Sequence, residues 1–400
     1  MEYGMLATLI PEAYAGEFRS MSKNTMQDAA NALQQNLYRG LVENLGRSFP
    51  VFNILPLSSY PQYCTKAFVP RFPLGDGGVN IGFCNIRFLR NYSKRRAIYR
   101  ELRRWCRSGS QEKTLFVYTI SQPFLAAVTK LKKKYPGLRV CAIVADLPNM
   151  SNLSARQSAG VKLAARLRAK DAYSMLPNVD RFVLLTKHMA DYMNLTKPWC
   201  VMEGIAAETH VPEEAGADQS GEKNVMYSGM LHERFGILHL IEAFSLVDDP
   251  ELRLTICGVG DSESEIRRAA ERDSRIRYLG QQKREDVLRL QKQATVLVNP
   301  RMNNEEFTKY SFPSKTMEYL ASGVPVIAYR LDGIPEEYDR YLNSPADDSP
   351  AALAKKIRQI CAMSPEERRQ IGRKGMTYVL ENKNAVSQTK RILEFLKHDD

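Results

Sequence analysis

The chain is poor in the features that settle a fold or a function quickly. Its seven cysteines (Cys64, Cys84, Cys106, Cys141, Cys200, Cys257 and Cys361) are scattered, odd in number and without a CxxC pair. That spacing writes no disulfide framework and points to reduced thiols in a cytoplasmic protein. Five histidines show no metal-ligand spacing, so no metal site is expected. Apolar runs such as "VLLT" and "GVPVIAY" are far shorter than the ~20 residues a membrane-spanning helix needs. The N-terminus "MEYGMLATLIPEAYAGEF" lacks a basic n-region and is interrupted early by acids, which predicts no signal peptide. Internal repeats and low-complexity tracts are absent. Across residues 87–107 the scarce element is acid: nine Lys/Arg stand against Glu101 alone.

What is present is enough apolar sequence for two cores: 400 residues, 44% hydrophobic. The net charge of +12 is uneven. The block "RFLRNYSKRRAIYRELRRWCR" (87–107) is joined in the same half by "KLKKKY" and "KLAARLRAK". A charge run is ordinarily a solvated helix face. This density, interleaved with Tyr92, Tyr99 and Trp105, instead suits an anionic surface. A membrane leaflet is preferred over nucleic acid for reasons that come from the second half of the chain.

The polar stretch "EEAGADQSGEKN" (213–224) reads as a linker between two halves. Strand-length apolar runs alternate with helical patterns on both sides. In the first half these are "TLFVYTI", "RVCAIVADLP" and "VDRFVLLT". In the second they are "KNVMYSG", "LRLTICGVG", "IRYLG", "ATVLVNP" and "VPVIAY". Such alternation gives parallel sheets covered by helices, an α/β class with two doubly wound domains. The expected domains are 1–205, a linker at 206–223, a second domain at 224–375, and a closing helix at 376–400 free to pack back across a cleft. Ligands of such sheets bind beyond the carboxyl ends of the strands. Asp146, Gly229, Gly258 and the segment 299–301 all fall there.

The segment "KYSFPSKTMEYLASGVPVIAY" (309–329) carries the chemistry. Pro313 suits the first helical position, where its missing N–H is not needed. The helix start behind it offers free N–H groups and a positive dipole end to an anion. Ser314 and Lys315 lie in that first turn. A lysine there opposes the dipole by ~0.3–1 kcal/mol, a conflict that a shared anion removes. Glu318, one turn on, has a carboxylate able to accept two hydrogen bonds from a vicinal diol such as a ribose. The ordinary alternative is a helix with a polar first turn that binds only water. Gly258-Val259-Gly260 is only a GxG; without a third glycine and a following acid it reads equally as a tight strand-to-helix turn.

Four pieces occur in order across residues 224–340: "YSGMLHERFGILHLIEAF", "LRLTICGVGD", "IRYLGQQKREDVLRLQKQATVLVNPR" and "FTKYSFPSKTMEYLASGVPVIA". In them the sequence resembles the donor domain of retaining GT-B glycosyltransferases of the GT4 family, of the kind that builds capsular or exopolysaccharide. The resemblance implies a GT-B fold, with two Rossmann-like domains facing across a cleft. It implies that Glu318 holds a nucleotide ribose, and that Ser311, Phe312, Pro313, Ser314 and Lys315 hold the sugar and diphosphate. It also brings Gly229 near the phosphates, and Tyr278 and Leu279 beside the nucleobase; Gly258, at its strand's end, is a further donor-site candidate on position alone. Three departures stand out. Tyr310 occupies the place of a glutamate eight residues before Glu318, leaving Glu305 or Glu306 as substitutes. Met230 and Phe235 replace the usual Arg and Lys. Arg234, Arg301 and Lys315 are the cations available instead. In the first half, Asp146 in "DLPNMS" either contacts acceptor or donor sugar or caps the next helix. Glu203 and Gly204 in "VMEGIA" resemble the approach to the interdomain linker.

The implied activity is transfer of a sugar from a nucleotide diphosphate sugar to a hydroxyl of a lipid-linked glycan, with retention. The expected enzyme needs no metal and no cofactor. Asp146 and Glu306 are the catalytic candidates, and residues 87–107 hold the enzyme at the inner face of a membrane. An epimerase or phosphorylase of the same fold, a non-catalytic nucleotide-sugar-binding scaffold and, third, an RNA-binding module supported by the basic block but without a recognised RNA motif are the competing readings.

Overall fold

A computed structural model describes residues 1–23, 28–148, 159–206 and 223–397. The expected linker at 206–223 lies almost wholly outside them, as do residues 149–158. Two compact units are present: Met1–Glu203 with Gln388–Asp400, and Gly204–Ser387. The boundary expected at 375 falls inside the helix Pro365–Asn382. The last helix, Ala385–Lys397, belongs to the first unit from Gln388 onward, where Arg181 stands over the Phe395 ring.

The first unit contains strands β1 (Glu2–Ala7), β2 (Val51–Asn53), β3 (Phe68–Val69), β4 (Phe72–Pro73), β5 (Val79–Asn80), β6 (Phe83–Cys84), β7 (Lys113–Tyr118), β8 (Leu138–Val144), β9 (Arg181–Leu184) and β10 (Trp199–Val201). Among the described residues eight form one sheet, ordered β10-β9-β8-β7-β1-β2-β5-β4, while β3 and β6 pair as a separate ribbon. The sheet is parallel apart from its β4 edge. Strands β7 and β8 are buried from end to end, apart from Arg139, because helices cover both faces.

The basic block forms the helix Arg90–Arg107. It is not an even belt of charge and aromatics. Lys94, Ala97, Ile98, Glu101, Leu102 and Trp105 make its inward face. Trp105, expected among the surface aromatics, packs 5.7 Å from Phe52, with Lys113 over its ring. The 3.6-residue period decides this: position 105 falls in line with 98 and 101, whereas 92 and 99 fall opposite. Buried Glu101 accepts from Arg104 at 2.8 Å and Arg71 at 3.3 Å.

The second unit has a five-stranded parallel sheet of β11 (Lys223–Ser228), β12 (Leu252–Cys257), β13 (Ile276–Gly280), β14 (Val296–Asn299) and β15 (Val326–Ala328), ordered β13-β12-β11-β14-β15. Alternate residues face opposite layers. Val225 and Tyr227 join Ile237, Leu240 and Phe244, while Met226 joins Met317, Leu320 and Val379. The chain reverses its direction across the sheet between β11 and β14, the switch point where such folds bind ligands.

Two glycines make the loops at this point close together. Gly258 has φ 141°, and a Cβ there would lie 1.8 Å from the Gly229 carbonyl oxygen. Gly236 has φ 81°, and a Cβ there would lie 2.0 Å from the Pro300 carbonyl oxygen.

Candidate functional site

The site forms where β11 and β14 end. The helix after the β14 loop spans Ser314–Ala321, with Pro313 as its N-cap at φ −73° and ψ 103°. Proline therefore sits one place earlier than the first-helical position expected for it. Its carbonyl still accepts the first turn's bond, from Thr316 N–H at 2.8 Å. Thr316, Met317, Tyr319, Leu320 and Ala321 are buried, which leaves Ser314, Lys315 and Glu318 on the open side.

Glu318 is held rather than free. Its Oε1 accepts from Lys315 Nζ at 2.7 Å and from Gln291 Nε2 at 2.7 Å, and Arg284 reaches Oε2 at 3.4 Å. Burial raises its pKa, but Lys315, Gln291 and Arg284 together outweigh that, and the carboxyl stays below its usual range. The same bond removes part of the conflict between Lys315 and the helix dipole: the lysine pairs with a carboxylate three residues on. Gln291 also donates to Ser228 Oγ at 2.9 Å. The Tyr319 hydroxyl accepts from the Ser228 N–H at 2.8 Å and donates to the Ser228 carbonyl at 3.0 Å. One buried network thus fixes Glu318 against the end of β11. Lys315 points toward the end of β12, where its charge pulls down a Cys257 thiol that burial pushes up to about 11.

Beyond β14, Arg301 is buried and donates to Ser311 Oγ at 2.7 Å. Its guanidinium lies 4.5 Å from the Phe307 ring centre and 5.7 Å from that of Phe235. Its Nε has no hydrogen-bond partner among the described residues. Exposed Arg234 lies over the same pair of rings, at 5.0 and 5.8 Å. Among the described residues neither arginine meets a carboxylate. Burial first, and then the charge of Arg234, drives the Arg301 pKa down to about 10. Two cations over one pair of rings, with donors to spare, have the chemistry that suits an anion.

The other expected residues divide. Gly229 follows Ser228 at the switch point, and its N–H donates to the Cys257 carbonyl at 3.0 Å. Gly258 serves close packing of these loops, as its geometry shows. The Tyr278 hydroxyl donates to the Gly258 carbonyl at 3.1 Å with Arg267 over its ring, and Leu279 is exposed beside it. The Phe312 ring is core, 5.4 Å from Tyr338, so of that residue only the backbone can meet a ligand. Glu306 is exposed at the start of the short 3-10 turn Glu306–Tyr310.

In the first unit, Asp146 follows β8. It has open surface, while protein crowded around its carboxyl pushes the pKa up to about 6. Tyr118 ends the neighbouring strand β7, and its buried hydroxyl has no partner among the described residues. Among the described residues no three of His, Cys, Asp and Glu cluster as metal ligands.

Sequence reasoning missed Gln291, Arg284 and Tyr319. Gln291 left a signal: it sits on the apolar stripe of Val287, Leu290 and Ala294, where a polar residue needs a partner. Tyr319 looked like any core aromatic.

Residues 222–363 match the sequence model of a family described as glycosyl transferases group 1. No curated protein matches the chain in sequence. Solved structures resemble it over its whole length. Sucrose-phosphate synthase from Thermosynechococcus elongatus superposes with a TM-score of 0.64 at 14% identity, covering 99% of each chain. An alpha,alpha-trehalose-phosphate synthase (UDP-forming) from Burkholderia xenovorans, in complex with glucose-6-phosphate, gives 0.65 at 12%, covering 100% of each. Anabaena HepE in complex with UDP gives 0.60 at 12%, covering 99% of each. These likenesses show the fold: two Rossmann-like α/β units of the GT-B type, the second of which carries the match to glycosyl transferases group 1.

Proposed function

We propose that the protein is a glycosyltransferase that takes a sugar from a nucleotide diphosphate sugar and passes it, with retention, to a hydroxyl of a lipid-linked glycan. The observation that carries this reading is buried Arg301, which shares the Phe235 and Phe307 rings with Arg234 at the end of β14 and lacks a carboxylate partner among the described residues. A buried cation without a counter-ion is costly unless a ligand supplies the anion. In this reading the anion is the donor's diphosphate. Arg301, Arg234 and the N–H groups opening the helix Ser314–Ala321 receive the charge that grows on the leaving diphosphate as the sugar–oxygen bond breaks. Those groups do the work a divalent cation would otherwise do. Glu318, preset by Gln291 and Lys315, accepts the two ribose hydroxyls. Lys315 then exchanges part of its contact with Glu318 for phosphate. Tyr278 and Leu279 border the base. Asp146 is the proposed contact for a sugar hydroxyl, and Glu306 is a second carboxylate near the transferred sugar. The family match over 222–363 and the likeness to UDP-bound HepE support the choice of a nucleotide sugar.

A thermal-shift panel of UDP, GDP, ADP and TDP, each with and without a sugar, tests the reading. One nucleotide series should raise the melting temperature, and Glu318→Ala should abolish that rise. No response to any member would sink it. Product analysis with the responding nucleotide sugar, with and without a glycan acceptor, then separates transfer from epimerisation.

A further inference from the structure

The turn leading into the helix Arg90–Arg107 leaves an apolar tip in solvent. The Ile86 carbonyl accepts from the amides of Leu89 at 3.0 Å and Arg90 at 2.8 Å, which closes the turn. Phe88 is 87% exposed, Leu89 54%, and Tyr92 in the first helical turn 64%. Phe68, 68% exposed, stands on β3, whose partner β6 runs straight into this turn with Cys84 opposite Phe68. Single exposed apolar residues are ordinary; several large ones on and beside one turn mark an interaction surface.

The surround is predominantly cationic. Arg87, Arg95, Arg96, Arg100, Arg104 and Arg107 are exposed, whereas the helix's one acid, Glu101, is buried between Arg71 and Arg104. No acid or side-chain cap serves the helix start. A second helix, Ala159–Ser174, stands nearby. Its Leu163 and Leu167 lie four residues apart and are each 59% exposed, with Arg166 and Arg168 exposed among them. Arg95 of the first helix and Asp171 of the second line one cavity, so the two helices are neighbours there. That cavity, of about 330 Å³, is also lined by Lys130, Lys133 and Thr129. The buried Thr129 hydroxyl has no partner among the described residues.

We infer that this face docks on an anionic bilayer, with Phe88, Leu89 and Tyr92 entering the boundary between headgroups and acyl chains and the surrounding arginines and lysines resting on lipid phosphates. Apolar tip and cationic collar are the two halves of interfacial binding. A protein partner would have to be uniformly acidic around an apolar centre; a leaflet of anionic lipid is so by composition. The inference deepens the reading of a lipid-linked acceptor and rests on it for its purpose, though not for its geometry. It also changes the expected mode of attachment: the contact is a tip and two helix faces, not the length of residues 87–107.

Sedimentation with phosphatidylcholine vesicles, with and without phosphatidylglycerol, tests it on the full chain. The protein should bind the phosphatidylglycerol vesicles. Phe88→Ser/Leu89→Ser should weaken that binding about tenfold or more. Arg95→Glu/Arg96→Glu should remove about tenfold of the preference for anionic over neutral vesicles. All these side chains are at the surface, so melting temperatures and nucleotide-induced shifts should match the parent protein. The inference is overturned if the parent binds neither vesicle, if Phe88→Ser/Leu89→Ser binds as well as the parent, or if the tip instead pairs two copies, seen as a dimer that this variant abolishes. Vesicle binding without any nucleotide shift would uphold the docking face and reject the transferase reading; the converse result would do the reverse.

Discussion

Arg301→Met separates a ligand-binding role from a structural one by giving effects of opposite sign. In the ligand-free protein the guanidinium is buried, and its pKa falls to about 10. That fall corresponds to about 3 kcal/mol of disfavour toward the charged form. The arginine is protonated at neutral pH whether folded or unfolded, so the disfavour persists and is relieved only as pH rises above about 10. Methionine removes it and keeps most of the volume. The substitution also removes the bond to Ser311 Oγ, worth about 1 kcal/mol, and the contact with Phe307, worth about 1 kcal/mol. The balance is a ligand-free protein between unchanged and about 1 kcal/mol more stable. Binding moves the other way. Losing a charge-assisted bond to a diphosphate costs about 1.5–3 kcal/mol, or roughly 10- to 150-fold in Kd. Urea denaturation gives the first quantity and calorimetric titration of the responding nucleoside diphosphate the second. A variant that is more than about 2 kcal/mol less stable yet binds the nucleotide normally would show that Arg301 is a packing residue, and the argument from unpaired charge would fail.

Glu318 should leave a signature in acid. Its folded pKa is depressed, so its share of stability is fully present above the unfolded value of about 4.3 and is lost as pH falls through the lower folded value. Denaturation of parent and Glu318→Gln across that window should show a steeper acid loss in the parent; parallel curves would contradict the Lys315–Glu318–Gln291 arrangement. Gly258→Ala should cost more than about 2 kcal/mol, since φ 141° is strained for alanine and its Cβ would sit on the Gly229 carbonyl. A denaturation midpoint within about 0.5 kcal/mol of the parent would disprove that close approach. Tyr118→Phe should leave the ligand-free protein as stable as before, or up to about 1 kcal/mol more stable, because the lost hydroxyl has no partner among the described residues. A larger loss on calorimetric melting would mean the hydroxyl carries a structural bond.

Most of the fold was legible in the chain, because burial on two faces of a parallel sheet is written locally. Runs such as "TLFVYTI" and "LRLTICGVG" have strand length, the stretches between them have helical period, and β7, β8, β11 and β12 lie where those runs predict. The open side of the helix Ser314–Ala321 was legible for the same reason: Met317, Leu320 and Ala321 mark its core face and leave Lys315 and Glu318 opposite. Arg301 could be named as an available cation, since it follows a strand. Its burial could not, because that depends on Phe235 and Phe307 closing over it from two separate loops.

The sequence by itself determined the α/β class, the five strands of the second sheet, three of the eight in the first and the polar turn at the end of the second sheet, all of which follow from periodicities within a dozen or so neighbouring residues. Tertiary structure alone decided which polar groups become partners. Gln291 and Glu318 are 27 positions apart, and Ser228 and Tyr319 are 91 apart. It also decided which members of a basic run face inward: Lys94, Glu101 and Trp105 turn to the core while Phe88 and Tyr92 stay in water. Local pattern sets the period of a helix, but the surface it is pressed against sets which stripe is dry, and that surface is assembled from residues far away in the chain.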